Sequence, residues 1–160
     1  MMTVQIVCVG KLKEAYWRDA CSEYAKRLSA FCKFRIVECD EAKVPDNASP
    51  AQIEDALRQE GERILSHIPG GGRLIALCIE GRPQSSEALA AHIGSLGVSG
   101  VSHVSFVIGG SWGLSPAVKK RSDLRLSMSP MTFPHQLARV MLCEQIYRAF
   151  QIHTGGKYHK

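Results

Sequence analysis

The sequence lacks any hydrophobic run long enough to cross a membrane. Its longest uninterrupted apolar stretch, residues 74–79, is far shorter than the roughly 20 residues that a spanning helix needs. The first residues also lack the basic start and long apolar core of a secretory signal. With 45% hydrophobic and 22% charged residues in 160, the chain is predicted to be a soluble, cytoplasmic protein with one domain over residues 1–160.

Metal-ligand patterns are absent as well. The six cysteines form no C-x-x-C pair, and none stands at zinc-ligand spacing from a histidine. Most of them lie inside apolar runs, as Cys8, Cys78 and Cys143 do. We therefore expect reduced cysteines in the core and no metal.

Common nucleotide-binding and hydrolase motifs are also missing. The segment GGSWG at residues 109–113 is not G-x-G-x-x-G, no G-K-[ST] follows a phosphate-binding glycine loop, and no G-x-S-x-G occurs. These absences argue against a Rossmann fingerprint, a P-loop and a serine hydrolase of the elbow type.

Acidic residues are scarce near the C-terminus. Residues 116–160 contain eight Lys and Arg against Asp123 and Glu144, a balance of +6, whereas residues 1–115 balance at −1. A basic end on a neutral body favours a polyanionic partner, although a solvated surface without a partner gives the same count.

What is present is an alternation of strands and helices. Apolar, β-branched runs predict strands at 3–10, 34–39, 74–80, 104–110 and 124–129, with a turn at 81–83. Helices are predicted over 14–30, after Ser49-Pro50, after Ser85, after Ser115-Pro116 and after Pro134. This alternation predicts an α/β fold, a mostly parallel sheet flanked by helices.

Parallel sheets of this kind bind ligands beyond the carboxyl ends of their strands. Three predicted loops meet that description, at residues 77–81, 109–113 and 128–133. Gly109 and Gly110 would let a ligand approach the backbone closely, although a plain tight turn explains them equally well.

The last helix is apolar around most of its circumference. Its polar face is confined to Glu144, Arg148 and Gln151. A helix of this kind must be buried on more than one side, which predicts a homodimer, with additional packing inside one chain as the alternative.

Three segments together resemble one enzyme family. FVIGGSWGLS (106–115), LSMSPMTFPHQLARVMLCEQIYRAF (126–150) and the terminal YHK resemble the ribosomal RNA large-subunit methyltransferase H family, a group of SPOUT or α/β-knot methyltransferases. The likeness extends over residues 3–160. It implies a C-terminal trefoil knot, a homodimer, and methylation of N3 of a pseudouridine in 23S rRNA on the assembled ribosome.

The resemblance also implies a site for S-adenosyl-L-methionine as methyl donor, without a metal. The positions that match the family's donor pocket come from the three loops identified above: Leu77, Gly109, Gly110, Met128, Ser129, Pro130, Met131, Thr132 and Phe133.

Loss of the N3 proton requires a base or nearby positive charge. His159 is the candidate base, Tyr158 a group that stacks on the target or hydrogen-bonds to it, and Arg139 a group that polarises a carbonyl. Arg139, Arg148 and Lys157 are the candidate RNA-binding residues. A frayed tail and a purely intrahelical Glu144–Arg148 pair are the alternatives.

Further alternatives stay open at this level. Trp112 stacks on an RNA base, covers the pocket or simply packs, and His135 is either functional or structural. Another RNA, such as tRNA, is a possible substrate, and so is a ribosome-binding role without catalysis.

Overall fold

The computed structural model describes residues 1–160 and contains one five-stranded sheet. The strands are β1 (Thr3–Val9), β2 (Lys33–Cys39), β3 (Arg73–Pro83), β4 (His103–Ile108) and β5 (Leu124–Ser127). All four neighbouring pairs are parallel, in the order β2-β1-β4-β3-β5. The α/β fold with a parallel sheet is therefore confirmed.

Five helices cover the sheet: α1 (Ala15–Leu28), α2 (Pro50–Leu65), α3 (Ser86–Val98), α4 (Pro116–Arg121) and α5 (His135–His153). Ser49 caps α2 through a capping box with Gln52, as the sequence predicts. Ser85 and Ser115 likewise accept hydrogen bonds from the first turns of α3 and α4. No helix is long and apolar enough to span a membrane.

Side chains that alternate along the strands separate two cores. On β1, Val4, Ile6 and Cys8 face the larger core, which includes residues of α1, α3 and α5. Val7 and Val9 face the smaller core, which includes residues of α2 and α4. This alternation follows from the period of two along a strand. The result is a sheet between two helical layers.

The predicted turn at residues 81–83 is wrong. β3 continues to Pro83, and both Leu77 and Arg82 pair with Leu126 of β5, so residues 78–81 form an irregular excursion from the ladder. Glycine at position 81 allows β3 to resume its pairing with β5, because a Cβ there would lie 2.9 Å from the carbonyl oxygen of Arg125. This local break depends on strand pairing and is not readable from the strand's own sequence.

Helix α5 is covered within its own chain. It contacts both α1 and α3, and every residue from 135 to 152 is buried or half-buried. Its half-buried aromatic side chains pack on α1 and the segment after it, with Tyr147 and Phe150 both against Phe31. Packing inside one chain thus buries one side of α5 and part of the rest, and the homodimer remains a prediction.

Candidate functional site

The first cavity lies at the carboxyl ends of β3, β4 and β5. It has a volume of about 330 Å³ and brings together eight of the nine residues expected to bind the methyl donor. These are Leu77, Gly109, Gly110, Met128, Ser129, Met131, Thr132 and Phe133. Pro130 belongs to the same loop but does not line the cavity.

Several lining residues were not named individually as donor-binding residues. They include Cys78, Ile79 and Glu80, which come from the irregular part of β3, and Leu114, Lys119 and His135. Glu80 is the only carboxylate of the lining, and it forms an ion pair with Lys119. The hydrogen bond from Lys119 lowers the pKa of Glu80, so this carboxylate is ionised at neutral pH.

The glycine loop closes on itself. Gly113 N–H donates to the Gly110 carbonyl at 3.1 Å, and Gly113 has a φ of +83°. A Cβ at Gly109 would lie 2.3 Å from the Gly113 carbonyl oxygen, and a Cβ at Gly110 would lie 3.1 Å from Val9 Cγ1. Contacts within the protein therefore account for glycine at position 109, and more weakly at position 110, while room for a ligand beside these two lining residues stays a prediction.

The lining of the first cavity fits an adenosyl group. Leu77, Ile79, Met128 and Phe133 offer apolar surface for a purine ring, and the three loops supply main-chain N–H and C=O groups. Ionised Glu80 is an acceptor suited to sugar hydroxyls. The chemistry of these residues is compatible with S-adenosyl-L-methionine.

A second cavity adjoins the first. It has a volume of about 400 Å³ and shares Leu126 and Met128 with the first cavity. Its other walls come from the start of α3 and from α5. Its lining residues are Gln84, Ser85, Ser86, Leu89, Leu126, Ser127, Met128, Met141, Leu142, Glu144 and Gln145.

The C-terminal tail docks beside the second cavity through a polar network centred on Glu144. Arg148 donates to both oxygens of Glu144 at 2.9–3.2 Å, and Tyr158 O–H donates to Glu144 Oε2 at 3.2 Å. The Tyr158 ring also lies edge-on to Tyr147, with Arg148 4.8 Å above its centroid. The tail is therefore anchored to α5 by its aromatic residue.

His159 is held between two charged groups. Its Nδ1 lies 3.0 Å from Arg148 Nη1, and its Nε2 lies 2.8 Å from Glu87 Oε1. Because a guanidinium only donates, Nδ1 accepts and the proton of a neutral ring is on Nε2. In this docked position His159 has no free lone pair with which to accept a proton from a substrate.

Tyr158 is protonated at neutral pH and can donate a hydrogen bond. Burial, together with the neighbouring Glu144, raises the pKa of its phenol to about 12. The side chain can therefore stack or donate a hydrogen bond, but it is not an available base.

Arg139 is placed away from both the second cavity and solvent. Its side chain is 4% exposed, with Nη1 2.6 Å from Glu38 Oε2 and Nη2 3.2 Å from the Gly10 carbonyl oxygen. A buried, paired guanidinium is not accessible to an RNA phosphate. The geometry corrects the predicted RNA contact of Arg139 and gives it a structural role that joins α5 to β1 and β2.

Of the three predicted RNA-binding residues, Lys157 alone is exposed and has no carboxylate partner. Arg148 is paired with Glu144, and Arg139 is paired with Glu38. The structure also reveals a basic surface around the end of α4, formed by Arg73, Lys119, Lys120, Arg121 and Arg125. Glu80 pairs with Lys119, and Asp123 pairs with both Arg73 and Arg121. Lys120 and Arg125 have no carboxylate partner.

Comparison with known proteins agrees with these features. Residues 2–159 match the sequence model of a family described as predicted SPOUT methyltransferase. Proteins named ribosomal RNA large subunit methyltransferase H are 54% identical in Bifidobacterium animalis subsp. lactis and 52% identical in Clostridium novyi. Each match covers 99% of this chain and 100% of the relative.

Solved structures share the fold, and one of them illustrates the likeness. A probable methylase family protein from Haemophilus influenzae aligns with 98% of this chain and 70% of its own, at a TM-score of 0.53 and 12% identity. At that identity the likeness concerns the fold alone.

Proposed function

The chain belongs to the SPOUT methyltransferase family, and on that premise we propose that residues 1–160 act as one domain that methylates N3 of a pseudouridine in 23S rRNA. The observation that carries this proposal is the first cavity, where residues from three separate loops form one lining suited to an adenosyl group. The relatives that share half of the sequence bear the name of a large-subunit rRNA methyltransferase.

We propose that S-adenosyl-L-methionine binds in the first cavity and supplies an electrophilic methyl group when bound. Leu77, Met128 and Phe133 would enclose the purine, and backbone groups of the 109–113 and 128–133 loops would hydrogen-bond to it. Glu80 would accept hydrogen bonds from the ribose. These residues would hold the donor beside Leu126 and Met128, the two residues that line both cavities.

The acceptor must lose its N3 proton as the new N–C bond forms. His159 is the chain's candidate for that proton, and Arg148 is the candidate that stabilises the developing anion. For His159 to act, its hydrogen bond from Arg148 must break, which also releases Arg148 Nη1 toward the acceptor. We propose that RNA binding displaces the tail from its docked position and so frees both groups together.

RNA binding is proposed to use the basic surface around α4. Five cations face two carboxylates there, a balance of +3 out of the chain's net +5, and Lys119 connects the surface to the first cavity. Phosphate contacts of this kind position a substrate without reading its sequence. Lys157 would add a contact on the tail.

Substitution of Lys120 and Arg125 by glutamate tests this surface. We expect a higher KM for ribosomes, an unchanged kcat and a shallower dependence of affinity on salt. Lys33→Glu with Lys43→Glu is the matched control, because Lys33 lies on β2 at the opposite edge of the sheet. Equal effects of the two double variants would exclude a specific role for the basic surface.

The test of the function itself is methyl transfer from labelled S-adenosyl-L-methionine to ribosomes that lack the modification, with mass spectrometry locating the product. We expect label on a single pseudouridine of 23S rRNA. Donor binding without label on ribosomes, but with label on tRNA, would favour another RNA target. The absence of donor binding would favour a ribosome-binding protein without catalysis.

We also propose the homodimer and the trefoil knot that the family resemblance implies. The exposed Tyr16 and the half-buried aromatic residues of α1 and α5 offer apolar surface for a second copy. Sedimentation at micromolar concentration tests the dimer, and a monomer that retains full activity would contradict it.

A further inference from the structure

Gln84 is the one polar side chain of the second cavity whose hydrogen-bonding capacity is unused. Its Oε1 is buried and receives no hydrogen bond. The other polar groups of the lining are occupied: Ser85 accepts from Ala88 N–H, and Ser86 donates to Gln145. The remaining ones, Ser127 and Glu144, also have partners within the chain.

An unpaired buried acceptor is costly, at about 1–3 kcal/mol, and it calls for an explanation in a native structure. Gln84 follows β3 directly and lies just before the α3 cap, so no packing requirement of a helix or strand interior fixes a glutamine there. A ligand with an N–H donor would satisfy it. The terminal torsion of glutamine is soft, so the carboxamide can turn its oxygen to meet such a donor.

The shape and chemistry of the second cavity suit a planar base. Leu89, Leu126 and Met141 contribute apolar surface to the lining, and Gln84 contributes an unpaired acceptor. Enzymes that modify a base within folded RNA or DNA take it out of the stack into a pocket with such a combination. Leu126 and Met128, which line both cavities, place this pocket next to the proposed donor.

We propose that the second cavity receives the target base and that Gln84 accepts the N1–H of a pseudouridine. This inference rests on the proposed function. Pseudouridine is joined to its ribose through carbon, so N1 carries a hydrogen, whereas N1 of uridine carries the sugar. The reacting N3 has its hydrogen in both bases. Gln84 is therefore a specificity-determining residue that distinguishes pseudouridine from uridine.

The test compares two substrates: ribosomes that carry pseudouridine at the target position, and ribosomes that carry uridine there. For each, kcat/KM is measured with the wild type, Gln84→Leu and Gln84→Glu. Gln59→Leu is the matched control, because Gln59 lies on α2, on the other face of the sheet, and pairs only with Asp55. Donor affinity measured by calorimetry verifies that each variant is folded.

We expect Gln84→Leu to lower kcat/KM on pseudouridine by about 10- to 100-fold, the loss of one hydrogen bond to a buried group, with little change on uridine. Gln84→Glu keeps an acceptor and should keep the preference for pseudouridine, as should Gln59→Leu. An unchanged preference in Gln84→Leu with normal donor affinity would overturn this inference alone. Failure of the wild type to methylate either ribosome would overturn the proposed function and the inference with it.

Discussion

Replacing Gly109 with alanine separates two explanations of the glycine loop. If glycine is there to make room for a ligand, alanine weakens donor binding and leaves the fold intact. In the structure, however, the new Cβ would lie 2.3 Å from the Gly113 carbonyl oxygen, more than 1 Å inside ordinary van der Waals contact. The neighbour is backbone and not the end of a flexible side chain, so the 110–113 turn must move.

The expected cost follows from that overlap. Overpacking against a rigid neighbour typically costs 1–3 kcal/mol, and backbone displacement puts Gly109→Ala near the top of that range, at about 3 kcal/mol. Donor affinity should fall at least about tenfold, because the displaced turn lines the first cavity. Denaturant unfolding measures the first effect and calorimetry with S-adenosyl-L-methionine the second.

Gly110→Ala is the matched control for this substitution. Its Cβ would lie 3.1 Å from Val9 Cγ1, a side-chain methyl that can shift by a few tenths of an ångström. We expect a loss below about 1 kcal/mol. If Gly109→Ala has the free energy of unfolding of the wild type but no longer binds the donor, the backbone explanation is refuted and the ligand-clearance explanation is supported.

Three further predictions concern charged groups. Glu38→Ala should destabilise the fold by about 2–3 kcal/mol in denaturant unfolding, because it removes the carboxylate that pairs with the buried Arg139. Adding Arg139→Met to Glu38→Ala should restore part of this loss. If the free-energy losses of the two single substitutions simply add in the double variant, the pairing is contradicted. Burial raises the pKa of Glu60, so the ionised carboxylate lowers the free energy of unfolding at a pH above that pKa. Glu60→Gln should therefore raise the denaturant midpoint of unfolding at about pH 7 but much less at about pH 4. A gain of stability that does not depend on pH would contradict this explanation. Deletion of residues 157–160 should abolish methyl transfer and spare donor binding in calorimetry; full activity would remove the tail from the mechanism.

Much of the architecture follows from local sequence. Short apolar runs ended by glycine predict β1 and β4, and Ser-Pro pairs locate the starts of α2 and α4, because capping and strand burial depend on residues close together in the chain. The three loops of the first cavity were also predictable, because the carboxyl ends of parallel strands share one edge of the sheet.

Pairing and burial decided the rest. The excursion at residues 78–81 exists because β3 pairs with Leu126 of β5 twice, a fact about a strand more than 40 residues away. Arg139 belongs to a basic segment in sequence, yet its burial against Glu38, 101 residues away, turns a candidate RNA contact into a structural ion pair. In the same way, Gln84 is an ordinary polar residue until the fold closes the second cavity around it and leaves its oxygen without a donor. Apart from residues 81–83, sequence alone determined which segments become strands, helices and loops, since those choices depend mostly on neighbouring residues. The tertiary structure alone decided which polar groups far apart in the chain are paired and which are free, since such a partner is defined by distance in space.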